Sequence, residues 1–536
     1  MTPRGSSRRW AAAVAVASAL AGCGGDDRGP PPAADVDAAL AALGRLLAAT
    51  PPAGRTPGSN EAIAQLVRDQ FIEAGVADVT IEPFSIPVSA SANHHLAVTG
   101  AGALDHEVNV FGGDGAVVAA PVIDLGLAKA VQPEAAGKIA LLDFSLTRSL
   151  RTQYRNIVAS GAVGAIIDAK LDVLRQRNVW QLASADQIEG PIPIVTVAQA
   201  DAAAIRAQLA AGTDVQVDLA TDAAVAPRTA YNVIARIPGT TQPERTLVIN
   251  GHLDSWFTGA ADDAQAIAAL VGLARTFHDQ PLPFTLELVA FDCEETFSLG
   301  SNNYLMRRMP AARDSLVGAI SLEMLAPKHR ELSIVTLDDK ATWLPPARAG
   351  GLTDVFDITF TPSDLMTAFD GEVPSDQGNF WQLGIPGLLV VTSYDEYHSS
   401  LDGPDNTDVE RYGQVLTALA QTVRELGKVG AEALSVRPTS SIRLEPAITS
   451  QTAQGVAGTI AASNARSAQP VDNAVVTVTV YNESYDAILA SAAATFVAGA
   501  GYTFAIDHAF VAGTSYVLSF DAVIPGQAAG RAVLRF

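Results

Sequence analysis

Residues 246–277, TLVINGHLDSWFTGAADDAQAIAALVGLARTF, hold a buried strand, a set of metal-loving side chains and an amphipathic helix in one run. Thr246 to Asn250 is a short apolar stretch, and Asp263 to Phe277 carries Ile267, Leu270, Val271, Ala274 and Phe277 at helical spacing. Between them lie His252-Leu253-Asp254 and Asp262-Asp263. An imidazole at the end of a buried strand can bind a metal while a nearby carboxylate, here Asp254, orients it. An acid that opens a helix is by itself an ordinary N-cap. Ten residues after His252, Asp262 becomes the candidate for a carboxylate shared between two metals.

Working outward, apolar strands and helices alternate. Strands are expected at Thr285 to Phe291, Val317 to Leu322 and Gly387 to Ser393, and helices near Ser301 to Met309 and from Asp408 to Leu426. This alternation predicts an α/β fold with a mostly parallel central sheet covered by helices on both faces. In such sheets ligands gather beyond the carboxyl ends of the strands. His252, Glu294, Glu295, Glu323 and His398 each fall at or just after a strand, which puts them on one edge of one sheet.

Each of these segments suits two-metal hydrolysis. Glu294-Glu295 follows an apolar strand, and successive residues can supply one metal-bound carboxylate and one free carboxylate that takes a proton from water. Glu323 is an acid within the apolar run Ser321-Leu322-Glu323-Met324-Leu325, where burial is costly unless the charge is paired or metal-bound. His398 supplies a last nitrogen, and the hydroxyl of Tyr397 beside it is a candidate donor to a developing oxyanion.

The flanks read differently. Met1 to Gly22 has the form of a secretory signal, with Arg4, Arg8 and Arg9 before an apolar stretch too short to span a bilayer. It closes on Leu20-Ala21-Gly22-Cys23, which resembles the lipobox of bacterial lipoproteins; that likeness implies lipidation at Cys23 and an exported protein anchored to a bacterial membrane. Residues 23–34 are a Gly/Pro-rich tether. The only other cysteine is Cys293, so an internal disulfide in the processed chain is not expected. The chain has 536 residues and a formal charge of −22, which argues against a nucleic-acid partner. No later segment is long and apolar enough for a membrane helix.

Residues 110–223 change to short Val/Ile/Leu runs broken by glycine and proline. Gly137-Lys138-Ile139-Ala140-Leu141-Leu142-Asp143, Ala159 to Ile167 and Pro191 to Val195 resemble a protease-associated domain, a small β-rich insert. Residues 437–536 switch to period-two alternation, as in Val476-Thr477-Val478-Thr479-Val480-Tyr481, and are expected to form a β-sandwich.

Across residues 35–109 and 224–430 the motifs Arg55-Thr56-Pro57-Gly58-Ser59, Asn232 to Gly239, Gly251-His252-Leu253-Asp254-Ser255, Ala261-Asp262-Asp263, Glu294-Glu295, Ser375-Asp376-Gln377-Gly378-Asn379-Phe380 and Tyr397 to Asp402 occur in the order seen in the dizinc aminopeptidase family. That family includes secreted bacterial aminopeptidases, glutamate carboxypeptidases and, more distantly, glutaminyl cyclases. The resemblance implies two Zn2+ ions, one held by His252, Asp262 and Glu323 and the other by Asp262, Glu295 and His398. Glu294 becomes the general base, Asp254 an orienting residue and a peptide the substrate. Aminopeptidase activity is the leading expectation; carboxypeptidase or dipeptidase action, glutaminyl cyclisation and a non-catalytic binding role are the alternatives. Two positions depart from the pattern. Ala264-Gln265-Ala266 stands where relatives carry a glycine-rich turn, and Glu323 stands where many carry aspartate.

Overall fold

The computed structural model describes residues 34–146, 149–176, 190–309, 311–337, 340–360, 373, 375–438, 441–483, 487–524 and 527–536. The signal segment and Cys23 lie outside the described residues.

The core of the molecule is an eight-stranded mixed sheet. Four neighbouring strands, Phe284–Phe291, Gln242–His252, Leu316–Glu323 and Gly387–Tyr394, run parallel. On one side the sheet continues antiparallel through Ala224–Ile237 and Asp78–Ala90. On the other, Arg330–Leu337 is antiparallel to Gly387–Tyr394, and Asp357–Phe360 forms the edge. The central strands are buried almost without interruption, as a sheet covered on both faces requires.

Helices Val36–Ala49, Glu61–Glu73, Gln265–Phe277 and Val409–Val429 bury Leu46, Phe71, Leu270 and Leu416 in one shared cluster against the sheet. Helices Leu299–Arg308 and Gln377–Gln382 cover the other face with Tyr304, Leu305 and Phe380. The expected elements are present, with ends shifted by a few residues. The helix foreseen from Asp263 begins at Gln265, because Ala260–Ala264 forms an irregular turn.

Gly251 explains how that turn approaches the sheet. A Cβ at this position would lie 2.6 Å from Ala266 Cβ and 3.0 Å from Asp263 Oδ2. Only glycine lets the acidic turn close onto the end of the His252 strand.

The insert has a wider boundary than 110–223. His94–Val98, Gly102–Ala103 and Glu107–Val108 belong to its eight-stranded sheet, beside Gly115–Gly126, Ile139–Asp143, Gly164–Asp168, Ile194–Val197 and Gln216–Thr221. The chain leaves the central sheet at Ala90 and returns at Ala224, and these two residues are register partners. The neck is therefore an antiparallel ribbon, and the insert begins near residue 91. Residues 94–108 are mostly polar or small, so the sequence offers no apolar run that separates them from the strand before.

The C-terminal region is an all-antiparallel arrangement of seven strands around its own core of Ile460, Val478, Leu518 and Phe520. Ile488–Val497 passes between its two layers, pairing with Val475–Asn482 through one half and Gly501–Asp507 through the other. The region docks on helix Leu299–Arg308, where Arg531 donates to Asn302 Oδ1 at 2.7 Å and Arg535 to the Met306 carbonyl at 3.2 Å.

Candidate metal centre

His252 ends its strand with the backbone N–H donating to Asp263 Oδ2 at 3.0 Å. Its Nδ1 lies 3.0 Å from the Asp254 carbonyl. A carbonyl can only accept, so Nδ1 carries a proton and Nε2 is the nitrogen left for a metal. Nε2 meets Asp262 Oδ1 at 3.0 Å. The other oxygen of the same carboxylate lies 3.1 Å from His398 Nε2, which is also 2.8 Å from Glu295 Oε1. Asp262 thus has an imidazole on each oxygen. The ligand atoms of Asp262, Glu295 and His398 all fall within 4.8 Å of one another.

Three buried acids hold this geometry through backbone N–H groups. Asp254 accepts from Glu294 at 3.0 Å and Glu295 at 3.1 Å, so it aligns both glutamates rather than only the His252 ring. Asp263 ties His252 to Met324, next to Glu323. Asp402 accepts from the N–H groups of Ala261 and Asp262 and from the hydroxyl of Tyr394. Beneath them Arg55, fully buried, donates to the carbonyls of Leu253, Thr258 and Gly259. The sequence marks Arg55 only as part of a turn and Asp263 only as a helix-opening acid; their bonds to distant backbone leave no local pattern. Positive φ values at the non-glycine residues Phe257, Cys293, Phe297, Ser298, Met324 and His398 place strained backbone beside these side chains.

Glu323 is buried at the end of its strand, hydrogen-bonded to Ser375 and within electrostatic reach of His252 and Asp262. It stands outside the group of three. Glu294 is half-buried, and Ser298 Oγ donates to its Oε1 at 3.3 Å. The Tyr397 ring is stacked on His398 with centroids 3.6 Å apart and packs against an apolar cluster of the insert. Cys293 is buried, and burial pushes its thiol well above the usual range.

The donor set fits divalent metal. Asp262 Oδ2 and His398 Nε2 are buried and make no hydrogen bond, although they face each other. Burial, and then the neighbouring Glu323 charge, push Glu294 well above the ordinary carboxyl range. Burial raises Glu295 as well. Burial alone would raise Asp262 too, yet the His252 and His398 imidazoles beside its two oxygens pull it below the usual value. The two imidazoles are raised despite burial by the acids around them. Carboxylates and imidazoles crowded in this way lack positive charge, which bound cations supply.

This crowding has a measurable consequence. Burial pushes Asp292 and Asp376 up to about 7 and Glu323 up to about 8 in the metal-free protein. Unfolded carboxyls ionise near pH ~4. Between that pH and the raised values the folded state holds protons that the unfolded state has shed, so folding stability is greatest at the acid end and falls as pH rises. Metal binding releases those protons and offsets the repulsion. The melting temperature of metal-stripped protein is expected to fall from about pH 5 to 8, and its gap to metal-loaded protein to widen. Calorimetry of both forms checks this; a gap independent of pH contradicts it.

Residues 232–423 match the model of peptidase family M28. The chain is 25% identical to carboxypeptidase Q of Xenopus laevis over 278 residues, 49% of this chain and 56% of that protein. It is 28% identical to probable leucine aminopeptidase 2 of Aspergillus fumigatus over 281 residues, 51% of this chain and 54% of that protein. The chain spans about half the length of these curated relatives. Among solved structures, a zinc aminopeptidase from Bacillus subtilis superposes with a TM-score of 0.58 at 19% identity, over 74% of this chain and 96% of that one. An aminopeptidase from Aneurinibacillus sp. strain AM-1 gives 0.55 at 21% identity, over 76% and 95%. At these identities the likeness is one of fold. His252, Asp262, Glu294, Glu295, Glu323 and His398 all lie inside the segment that matches the model of peptidase family M28.

Proposed function

We propose that the protein is an aminopeptidase that uses two zinc ions, one held by His252, Asp262 and Glu323 and the other by Asp262, Glu295 and His398. The observation that supports it most is Asp262, a buried carboxylate with an imidazole nitrogen about 3 Å from each oxygen. When bound, the zinc ions supply positive charge that polarises a peptide carbonyl and acidifies water. The chain supplies the rest. Glu294 accepts the proton of the attacking water on its carboxylate and returns it to the leaving amine. Burial raises its affinity for protons, the direction that favours taking one up. Asp254 keeps Glu294 and Glu295 in register by holding both backbone N–H groups. Tyr397 Oη donates to the carbonyl oxygen as negative charge develops there.

Tyr397→Phe tests the last role while keeping the ring that stacks on His398. Its kcat is expected to fall about 100-fold, the usual loss for one oxyanion donor, with KM and zinc content little changed. An unchanged kcat leaves Tyr397 as packing only.

Hydrolysis of free-amine aminoacyl p-nitroanilides, with the N-acetylated compounds inert, is the expected result. The second reading, carboxypeptidase or dipeptidase action, draws on the similarity to carboxypeptidase Q. It predicts cleavage of dipeptides and no turnover of the anilides, an outcome that would replace the first reading.

A further inference from the structure

We propose that the inserted domain is part of the metal centre, with Arg175 and Gln176 as positioning residues for His398. The inference rests on the reading of His398 as a metal ligand. The two imidazoles are oriented by different means. His252 is oriented locally, by the carbonyl of Asp254 two residues further along. His398 is oriented from the insert, its Nδ1 donating to the Gln176 carbonyl at 3.0 Å across 222 positions of chain. With Nδ1 committed to that carbonyl, Nε2 is the nitrogen left for a metal, and it faces Asp262 and Glu295.

The contact is built on both sides. Gln176 N–H donates to the His398 carbonyl at 3.1 Å, and Arg175 and Ser399 form an antiparallel bridge, so the two segments run as a short ribbon. The Arg175 side chain, 2% exposed, donates to the carbonyl of Ala169 within the insert and to the carbonyls of Tyr397 and Asp395 on the ligand-bearing turn. Its guanidinium lies 4.2 Å from the centroid of the Phe144 ring. Burying a cation is costly unless its donors are satisfied, and here the satisfying groups come from both domains. Gln176 is itself held by its side-chain amide, which donates to Glu107 Oε1 and the Val108 carbonyl, each at 2.9 Å. His398 sits at φ 58°, a conformation that a non-glycine residue keeps only where its surroundings enforce it. The ribbon is that enforcement. Without it the ring loses both its tautomer and its direction, and the zinc site of Glu295 and His398 weakens while that of His252 does not.

The test uses the full chain as wild type, His398→Ala, Arg175→Met, Gln176→Ala and, as control, Arg155→Met on an exposed part of the insert. Zinc affinity is read by competition with a chromophoric chelator, coordination by the visible spectrum of the cobalt-substituted protein, and folding by circular dichroism. Arg175→Met is expected to weaken one of two zinc affinities about 10- to 100-fold, the range for loss of an outer partner of a metal ligand, and to alter the cobalt spectrum. Gln176→Ala shifts both readings the same way by less, and Arg155→Met leaves them unchanged. If Arg175→Met does not fold, Gln176→Ala decides by the same two readings. Wild-type affinity and spectrum in the folded variants, with loss in His398→Ala, overturn the inference. Wild-type zinc binding by His398→Ala overturns instead the assignment of His398 as a ligand.

Discussion

Glu294→Gln is expected to lower kcat on the order of 1000-fold while zinc content and fold stay as in the wild type, since a positioned general base contributes roughly 100- to 10,000-fold. The amide matches the carboxylate in size and keeps an oxygen for the Ser298 hydroxyl, which lies 3.3 Å away. The backbone N–H of Glu294 continues to donate to Asp254, so Glu295 is not displaced. What is lost is the ability to take up a proton. Burial and the charge of Glu323 raise the proton affinity of Glu294, and the neutral amide has none to use. Steady-state kinetics on an aminoacyl anilide together with atomic absorption of the purified variant give the answer. A kcat within tenfold of the wild type would remove Glu294 from the reaction.

Asp262→Ala is expected to weaken zinc binding by more than the ~100-fold that marks the upper range for an outer partner, leaving less than one tightly bound ion per chain. Among the described residues Asp262 is the one side chain that touches both imidazoles, and its two oxygens are 3.0 Å and 3.1 Å from them. Replacing any other ligand leaves one site with its donors; replacing this one takes a donor from each. The metal-free protein should report the change too. The Asp262 carboxylate helps to raise both His252 and His398 above the ordinary imidazole range, so both should titrate at lower pH in the variant. Zinc competition and histidine titration by NMR check the two parts. Two tight zinc ions in Asp262→Ala would show that the carboxylate is not shared.

The residues legible in the sequence are those proposed to act through their own side chains. His252, Asp262, Glu295 and His398 are visible because metal-loving groups at strand ends are rare and their order along the chain is distinctive. The structure brings all four together and leaves Glu323 at their margin. Arg55 and Asp402 are harder to see, because each works through carbonyl or N–H groups supplied by remote segments. Gln176 is harder still, since the group that orients His398 is a backbone carbonyl, which every residue has.

The sequence by itself determined the parallel centre of the sheet, its covering helices and the edge where the acids and imidazoles lie, because burial periodicity and strand-end position are local properties. It also determined that the last hundred residues form a separate β region. Only the tertiary structure decided that the insert begins near residue 91, since a strand's sheet is settled by its partner and not by its own residues. Only the tertiary structure decided that Asp254 aligns two glutamates and that Arg175 ties the insert to the turn bearing His398. Those are hydrogen bonds to main chain far away in sequence, and which main chain arrives there depends on the packing of the whole molecule.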